Sequence, residues 1–350
     1  MIRRLLYALL LLAAGCREKP QPAPVEPPRP LHAELLFTGD VMQHLPQVHA
    51  ARRGEGFDYG EVFAAVRPWF ERADLVVVNL ETTLAAAPPY RGYPCFRSPA
   101  ALAVELRRCG VDAVCLANNH CLDDGARGVR ATTALVDSCG LLRTGLYTDS
   151  LDRRSHYPLR IERGGIRFAL FNCTYGTNGL PTPRGMLLDR IDTTTLARDL
   201  TLAAADTTLD CRIVCIHWGN EYERRPNPSQ RALAAFLRRH GADLVIGSHP
   251  HVIQPFEADS THAVFYSLGN FVSNQRKRYC DGGLMARIGV TKHPDGRMRY
   301  AAEAIPVWVA LPGYRILPAP VADTMRLGSA WQVFRADTER LLEKRNRFFE

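Results

Sequence analysis

Short β-rich runs that each stop at a polar, metal-competent residue place the tightest constraint on this chain. Glu34 to Thr38 ends at Gly39-Asp40, and Leu75 to Val78 ends at Asn79-Leu80-Glu81. Ala113 to Leu116 ends at Asn118-Asn119-His120, and Arg212 to Ile216 ends at His217. Leu244 to Ile246 ends at Gly247-Ser248-His249-Pro250-His251. Between these runs lie stretches with helical spacing: Tyr59 to Phe70, Pro99 to Cys109, Asp124 to Ser138, Leu196 to Ala205 and Ser229 to Arg239. Such alternation predicts an α/β architecture with short strands buried on both faces. In that architecture the carboxyl ends of the strands face the crevice where ligands bind. One strand ending in histidine means little. Several converging ends are hard to explain as core residues, because each buried polar group needs its own hydrogen-bond partner.

The rest of the folded region adds strands. Leu159 to Glu162 and Ile166 to Phe171 flank Arg163-Gly164-Gly165 as a hairpin. Ala263 to Tyr266 ends at Ser267-Leu268-Gly269-Asn270, and further strands are expected over Gly283 to Val290 and Arg299 to Val309. A long charged helix is expected over Thr324 to Arg345. No internal repeat and no break between two large domains is evident.

The N-terminus has a different character. Two arginines in Met1 to Arg4 precede the apolar run Leu5 to Ala14, which is too short for the roughly 20 residues of a membrane-spanning helix. Basic start, apolar stretch and small residues form the layout of an export signal. Ala13-Ala14-Gly15 is followed at once by Cys16, which resembles the bacterial lipobox. Residues 1–16 are therefore expected to be a lipoprotein signal peptide with Cys16 as the lipidation site. Residues 17–30, rich in proline, are expected to be an extended tether. The main domain is expected over 31–310 and a helical extension over 311–350. The protein would then sit in the bacterial cell envelope, held by lipid.

Of the ten cysteines, Cys16 is accounted for by lipid, and no C-x-x-C pair with zinc spacing occurs. Cys115, Cys173 and Cys215 lie in strand-like runs and are read as small buried hydrophobes. Export would allow oxidation of a pair such as Cys109 and Cys139. The formal net charge of +8 gives a basic surface, solvated or attractive to an anionic polymer or membrane. Nucleic acid is not an expected partner of a lipid-anchored envelope protein.

The strand-end residues suit one another chemically. Carboxylates, imidazoles and an amide oxygen favour Mn, Zn or Fe over Mg or Ca as a divalent metal cofactor, with one or two ions. On an extended segment His249 and His251 would point to the same side; on a loop they would reach two adjacent metal positions.

The runs FTGDVM, NLETTL, ANNHCLDDG, HWGNEY, GSHPHVIQP and YSLGNF occur in order. Together they resemble the successive motifs of the CapA capsule-synthesis, or poly-γ-glutamate biosynthesis, family. The resemblance spans about residues 35–290. That family is similar to the calcineurin-like metallophosphatases, whose fold is a four-layer αββα sandwich. The resemblance implies Asp40 as a ligand of a first metal and Glu81 as the bridging carboxylate. It implies Asn119, His217 and His249 as ligands of a second metal, His251 as a ligand of the first, and His120 as the catalytic histidine. Two departures from the superfamily pattern stand out: Met42 occupies the place of a ligand histidine, and Asn79-Leu80-Glu81 replaces a Gly-Asp motif. His44 lies nearby, at the wrong spacing for a simple replacement.

Trp218 and Glu221 are candidates to line the pocket, or else a packing residue and a cap or arginine partner. Asn270 is a candidate second-tier group bonding a ligand histidine, or else a turn residue. Asp123 and Asp124 are expected to cap the following helix. The loops Arg91-Gly92-Tyr93-Pro94 and Thr174 to Gly179 read either as binding loops or as plain turns.

The resemblance implies a capsule or poly-γ-glutamate biosynthesis or export factor. Its partners would be an anionic envelope polymer or its precursors, and membrane synthase or export proteins. A metal-dependent envelope hydrolase, phosphoesterase or amidase, is one alternative. A non-catalytic polyanion-binding module is the other. The Leu-Ala-Ala-Gly-Cys run generates the first prediction: mass spectrometry of membrane-extracted protein should find a diacylglyceryl group on Cys16 as the new N-terminus. A mature N-terminus elsewhere without lipid mass would refute it.

Overall fold

The computed structural model describes residues 29–343, so Cys16 and most of the expected tether lie outside the described residues. No helix among the described residues is long and apolar enough to cross a membrane.

Two sheets pack face to face. The larger contains β1 (Leu31–Val41), β2 (Leu75–Leu80), β3 (Ala113–Cys115) and β4 (Leu142–Thr144) running parallel. The smaller contains β5 (Leu159–Arg163), β6 (Ile166–Thr174), β7 (Cys211–His217), β8 (Leu244–Ser248), β9 (Phe256–Ala258) and β10 (Ala263–Phe265). Its order is β5-β6-β7-β8-β10-β9, with the four inner strands parallel. The chain then returns to the larger sheet. β11 (Asn270–Val272) pairs with the end of β1, and β12 (Gly282–Lys292), β13 (Met298–Ala310) and β14 (Arg315–Pro318) extend its other side antiparallel. The larger sheet is thus ordered β14-β13-β12-β1-β2-β3-β4.

Helices cover the outer faces. α1 (Ala101–Arg108) and α2 (Gly125–Ser138) lie on the larger sheet; α3 (Thr193–Ala205) and α4 (Pro228–Arg239) lie on the smaller. The result is the four-layer αββα sandwich implied by the metallophosphatase resemblance.

The central strands are apolar throughout because both of their faces are buried. Leu75 and Val77 of β2 enter the core between the sheets, whereas Val76 and Val78 enter the core beneath α1 and α2. β7 divides the same way, with Ile213 and Cys215 inward and Val214 and Ile216 under α3 and α4. This is the period-two alternation of a strand with two apolar environments. Each fully buried Leu, Val or Phe contributes about 1.5–3 kcal/mol, against about 0–1 kcal/mol for an exposed ion pair. Double-sided burial is therefore what fixes the strand ends in space. Helix starts are set locally: Asp192 accepts from Thr195 N at 2.6 Å before α3, and Asn227 with Gln230 forms a capping box before α4.

Several expectations are corrected. The helix expected over Tyr59 to Phe70 is two short helices, Gly60–Phe63 and Arg67–Phe70. Pro68 lacks a backbone donor and restricts Arg67, which interrupts the ladder. The helix expected from Thr324 begins later, as α5 (Ser329–Glu343), and a separate short helix, Ala319–Ala322, precedes the expected range. The chain beyond residue 310 is not purely helical. β14 lies on the sheet edge, and Trp331 and Phe334 of α5 pack into the core between the sheets. All nine cysteines among the described residues are free, and Cys109 is not joined to Cys139.

Gly39 is required where β1 passes β11. A Cβ there would stand 1.9 Å from the Gly269 carbonyl oxygen, and Asp40 N donates to that same oxygen at 2.9 Å. Gly39→Ala should therefore lower unfolding stability by at least about 2 kcal/mol in urea titration. An unchanged midpoint would show that the strands separate without penalty.

Candidate metal centre

Two carboxylates meet below the carboxyl ends of the strands, and neither reaches solvent. Asp40, in β1, and Glu81, just after β2, are both 0% exposed. The Asn79 side-chain amide lies between them, donating to Asp40 Oδ1 at 2.8 Å and to Glu81 Oε2 at 3.2 Å. Asn118 Nδ2 in turn approaches Asn79 Oδ1 at 3.3 Å and the Leu80 carbonyl at 2.9 Å, which fixes the orientation of the Asn79 amide. Glu81 Oε1 has no hydrogen-bond partner. Burial, and then the neighbouring Asp40 charge, push the Glu81 carboxyl well above the ordinary carboxylate range.

Histidines close the cluster from the smaller sheet. His251 Nδ1 donates to Asp40 Oδ2 at 3.0 Å, and its Nε2 stands 3.8 Å from the unpartnered Glu81 Oε1. His217, ending β7, has Nε2 2.8 Å from Asn119 Oδ1 and Nδ1 2.9 Å from Ser248 Oγ. Its Nε2 is 3.9 Å from Glu81 Oε1. The His249 ring lies 4.8 Å from that of His217, and its buried Nδ1 has no partner. Burial, followed by the nearby histidines, holds His217 well below its ordinary value; burial likewise lowers His249 to about 3. These imidazoles are therefore neutral at physiological pH, the form that binds metal.

The donor set fits a divalent ion. Asp40, Glu81 and His217 offer ligand atoms within 4.8 Å of one another. The 3.8 and 3.9 Å gaps at Glu81 Oε1 are too long for hydrogen bonds. They fall within the roughly 4.2 Å that two ligands at about 2.1 Å can span across one ion. An orphaned carboxylate oxygen and an orphaned imidazole nitrogen in the same buried cluster are the groups an ion would satisfy.

His120 stands at the edge. Its Nδ1 donates to Asp123 Oδ2 at 2.8 Å, its backbone N donates to Asn118 Oδ1 at 3.1 Å, and the Phe96 ring meets it edge-on at 4.6 Å. Asp123 also accepts from Phe96 N at 2.6 Å. The expected capping role of the two aspartates is thus corrected. Asp123 orients His120, and Asp124 makes no cap hydrogen bond but binds Arg91, Arg97 and Arg127.

Residues 34–275 match the family described as bacterial capsule synthesis protein PGA_cap. The chain belongs to the PGA_cap family. Among its relatives is the capsule biosynthesis protein CapA of Bacillus anthracis, 29% identical over 77% of this chain and 67% of that one. Another is the PGA biosynthesis protein CapA of Bacillus subtilis strain 168, 26% identical over 81% of this chain and 73% of that one. A phosphatase of Mycoplasma pneumoniae superposes with a TM-score of 0.48 at 14% identity, over 84% of this chain and 97% of the other.

In this PGA_cap chain, Asp40, Glu81, Asn119, His217, His249 and His251 lie in one cluster with His120 beside it. Three other candidates have different surroundings. Trp218 is a packing residue: it lies in the core under α3 and α4, donates to the Tyr266 carbonyl at 2.8 Å and stacks on the Tyr266 ring. Asn270 aligns with Asp40 in the β1–β11 register, yet its amide donates to Gln275 Oε1 and the Cys280 carbonyl rather than to a histidine. Glu221 is exposed and lies near His249 and His251. The Thr174 to Gly179 loop reaches the cluster, with Tyr175 at 4.5 Å from the His249 ring and Asn178 Oδ1 accepting from Asn119 at 3.3 Å. Met42 is buried, and His44 meets Phe96 edge-on at 5.0 Å, its imidazole lowered to about 4 chiefly by burial. Sequence reasoning missed Asn79, Asn118 and Asp123 as positioning groups, although all three lie within the motif runs.

The arginines around Asp124, Arg127 foremost, overcome its burial and lower its carboxyl to about 2. The folded value is depressed, so this stabilisation is present above the ordinary 3.8 and is lost as pH falls toward about 2. Asp124→Asn should cost about 1–3 kcal/mol at pH 7, and the gap from wild type should close as acid protonates the carboxylate. Urea titrations at neutral and acid pH test this; a gap that persists undiminished in acid would refute it.

Proposed function

We propose that this chain is an envelope protein of capsule or poly-γ-glutamate biosynthesis or export, with a cleft that holds divalent metal and engages the anionic polymer. The two Bacillus relatives, named for capsule biosynthesis and for PGA biosynthesis, support the polymer class. The observation that carries the metal is that Glu81 Oε1 and His249 Nδ1, in one cluster, are each buried without a hydrogen-bond partner. Asp40, Glu81, Asn119, His217, His249 and His251 would hold the metal, with Mn, Zn or Fe preferred by the imidazole content. Such ions supply Lewis acidity toward an anionic oxygen.

The chain's own residues do the remainder. Asn79 keeps the two carboxylates together. Asn118 and Asp123 fix His120 so that its Nε2 is the ring atom left for a substrate. This carboxylate-held imidazole is the specific feature that favours a hydrolytic version of the reading, in which His120 passes a proton to a leaving oxygen or nitrogen. Lipid at Cys16 and a 17–30 tether would hold the domain at the membrane beside synthase or export partners.

Metal analysis and surface-polymer assays on three proteins test the reading. Wild type should carry metal, and H249A/H251A should lose it. His120→Ala should keep its metal and, although the lost Asp123 bond lowers its thermal midpoint, remain folded at growth temperature while lowering surface polymer at least about tenfold, within the usual range for an acid–base residue. Metal-free wild type would refute the metal reading. Normal polymer in the His120→Ala host would refute the role of His120.

A further inference from the structure

We propose that Lys277, held over the Tyr222 ring, is the docking point for an acidic group of the polymer beside the metal cluster. This rests on the polyanion reading above and names the residue that carries it.

Three consecutive basic residues, Arg276, Lys277 and Arg278, lie in the turn between β11 and β12. The outer two are committed within the fold. Arg276 donates to the Val309 and Ser273 carbonyls at 2.9 and 2.8 Å. Arg278 donates twice to Asp337 of α5, at 2.9 and 3.0 Å. Lys277 between them is exposed and makes no ion pair among the described residues. Its Nζ stands 4.3 Å from the centre of the Tyr222 ring. An ammonium on a ring face keeps its charge, and its remaining N–H groups stay open to an oxyanion from the solvent side. The ring also restricts a long side chain that would otherwise lose more rotamer freedom on binding.

Both partners are keyed to the metal cluster, which fixes their distance from it. The basic turn is clamped by Asn270, whose amide donates to Gln275 Oε1 at 2.9 Å and to the Cys280 carbonyl at 2.8 Å. Asn270 is the residue aligned with Asp40 between β11 and β1. Cys280 N donates to the Lys277 carbonyl at 2.9 Å and closes the turn. Tyr222 is fixed from the smaller sheet. Its N donates to the Pro250 carbonyl, between His249 and His251, at 2.8 Å, and its ring lies 6.2 Å from that of His251. Tyr222 is left-handed at φ +67°, a conformation that non-glycine residues seldom adopt. Glu221 precedes it, but its carboxylate lies toward His249 and His251 and is not paired with Lys277. One acidic group of a chain can therefore meet the metal cluster while a second meets Lys277 one ring away. Two groups joined in one chain gain from effective concentration, which separate anions do not. The polymer class of the proposed function makes the docked group a carboxylate; phosphate is the competing oxyanion.

Calorimetric titration of the full chain, in the presence of Mn²⁺, with a poly-γ-glutamate oligomer tests the proposal. Arg239→Gln is the charge-matched control. Arg239 is exposed and ends α4 on the side where β8 begins, away from the cluster. Lys277→Gln should weaken binding at least about fivefold, as expected for one lost charge-assisted hydrogen bond. Lys277→Arg should restore most of it, and Arg239→Gln should change it less than about twofold because of screening. Metal content and thermal midpoint should stay close to wild type in all three. Unchanged affinity in Lys277→Gln, or an equal loss in Arg239→Gln, would overturn the docking point and leave the polyanion reading intact. The same titration with inorganic polyphosphate separates the two oxyanions: a Lys277→Gln loss confined to polyphosphate would overturn the carboxylate assignment. Wild type that binds neither polymer would remove the polyanion reading and this inference together.

Discussion

Two carboxylates buried at one point, Asp40 and Glu81, are the constraint to which the rest of the structure answers. Taking an ionised carboxylate out of water costs several kcal/mol, and placing a second one beside it adds repulsion. The Asn79 amide donates to both, and a hydrogen bond to a charged acceptor contributes about 1.5–3 kcal/mol. That offsets part of the penalty and leaves Glu81 Oε1 with nothing. His217 and His249 cannot supply the missing positive charge, because burial keeps them neutral. The imbalance is the physical argument for a cation. A proton on Glu81 would be the substitute when no cation is bound, in keeping with its raised carboxyl.

Holding such a cluster requires backbone that does not yield. β1 shifts register between Thr38 and Asp40, at the point where it meets β11. Gly39 makes that close approach sterically possible. On the opposite sheet, the left-handed residues of the His249 to His251 loop store strain of about 1–3 kcal/mol each. These local costs are tolerated because the strands feeding the site are buried on both faces. A slip of one residue in β2 would exchange Val77 with Val78 between two cores and carry Asn79 and Glu81 together away from Asp40.

Much of this was legible in the sequence, for a specific reason. Strand ends are marked where an apolar run such as LVVV or VCIH stops at a charged or imidazole side chain, so Asp40, Glu81, His217 and the His249 pair could be found from pattern. Residues that act through neighbours leave no such mark. Asn79 and Asn118 look like ordinary turn residues, and their role appears only when two strands lie side by side. Trp218 shows the reverse: its place next to His217 suggested the pocket, but adjacent residues on a strand point to opposite faces, and the ring enters the outer core. The helix expected over Tyr59 to Phe70 is broken at residues 64–66, because Pro68, in the first turn of the second helix, has no N–H to continue the ladder, and apolar periodicity does not reveal a missing donor.

The charge distribution bears on how a polymer would be selected. The basic charge, +8 for the whole sequence, of which Arg3 and Arg4 of the expected signal supply two, would raise the rate at which anionic chains meet the protein. That field is screened over about 8–10 Å at physiological ionic strength, so it cannot tell one polyanion from another. In the proposed reading, discrimination would fall to the mouth of the cleft. There Tyr175 is 46% and Tyr222 38% exposed, their rings near His249 and His251, and Lys277 Nζ sits 4.3 Å over the Tyr222 ring. Tyrosines are neutral at physiological pH, and burial raises Tyr175 further, to about 12. They therefore add no repulsion toward an anion while offering flat apolar contact to the chain between its charges.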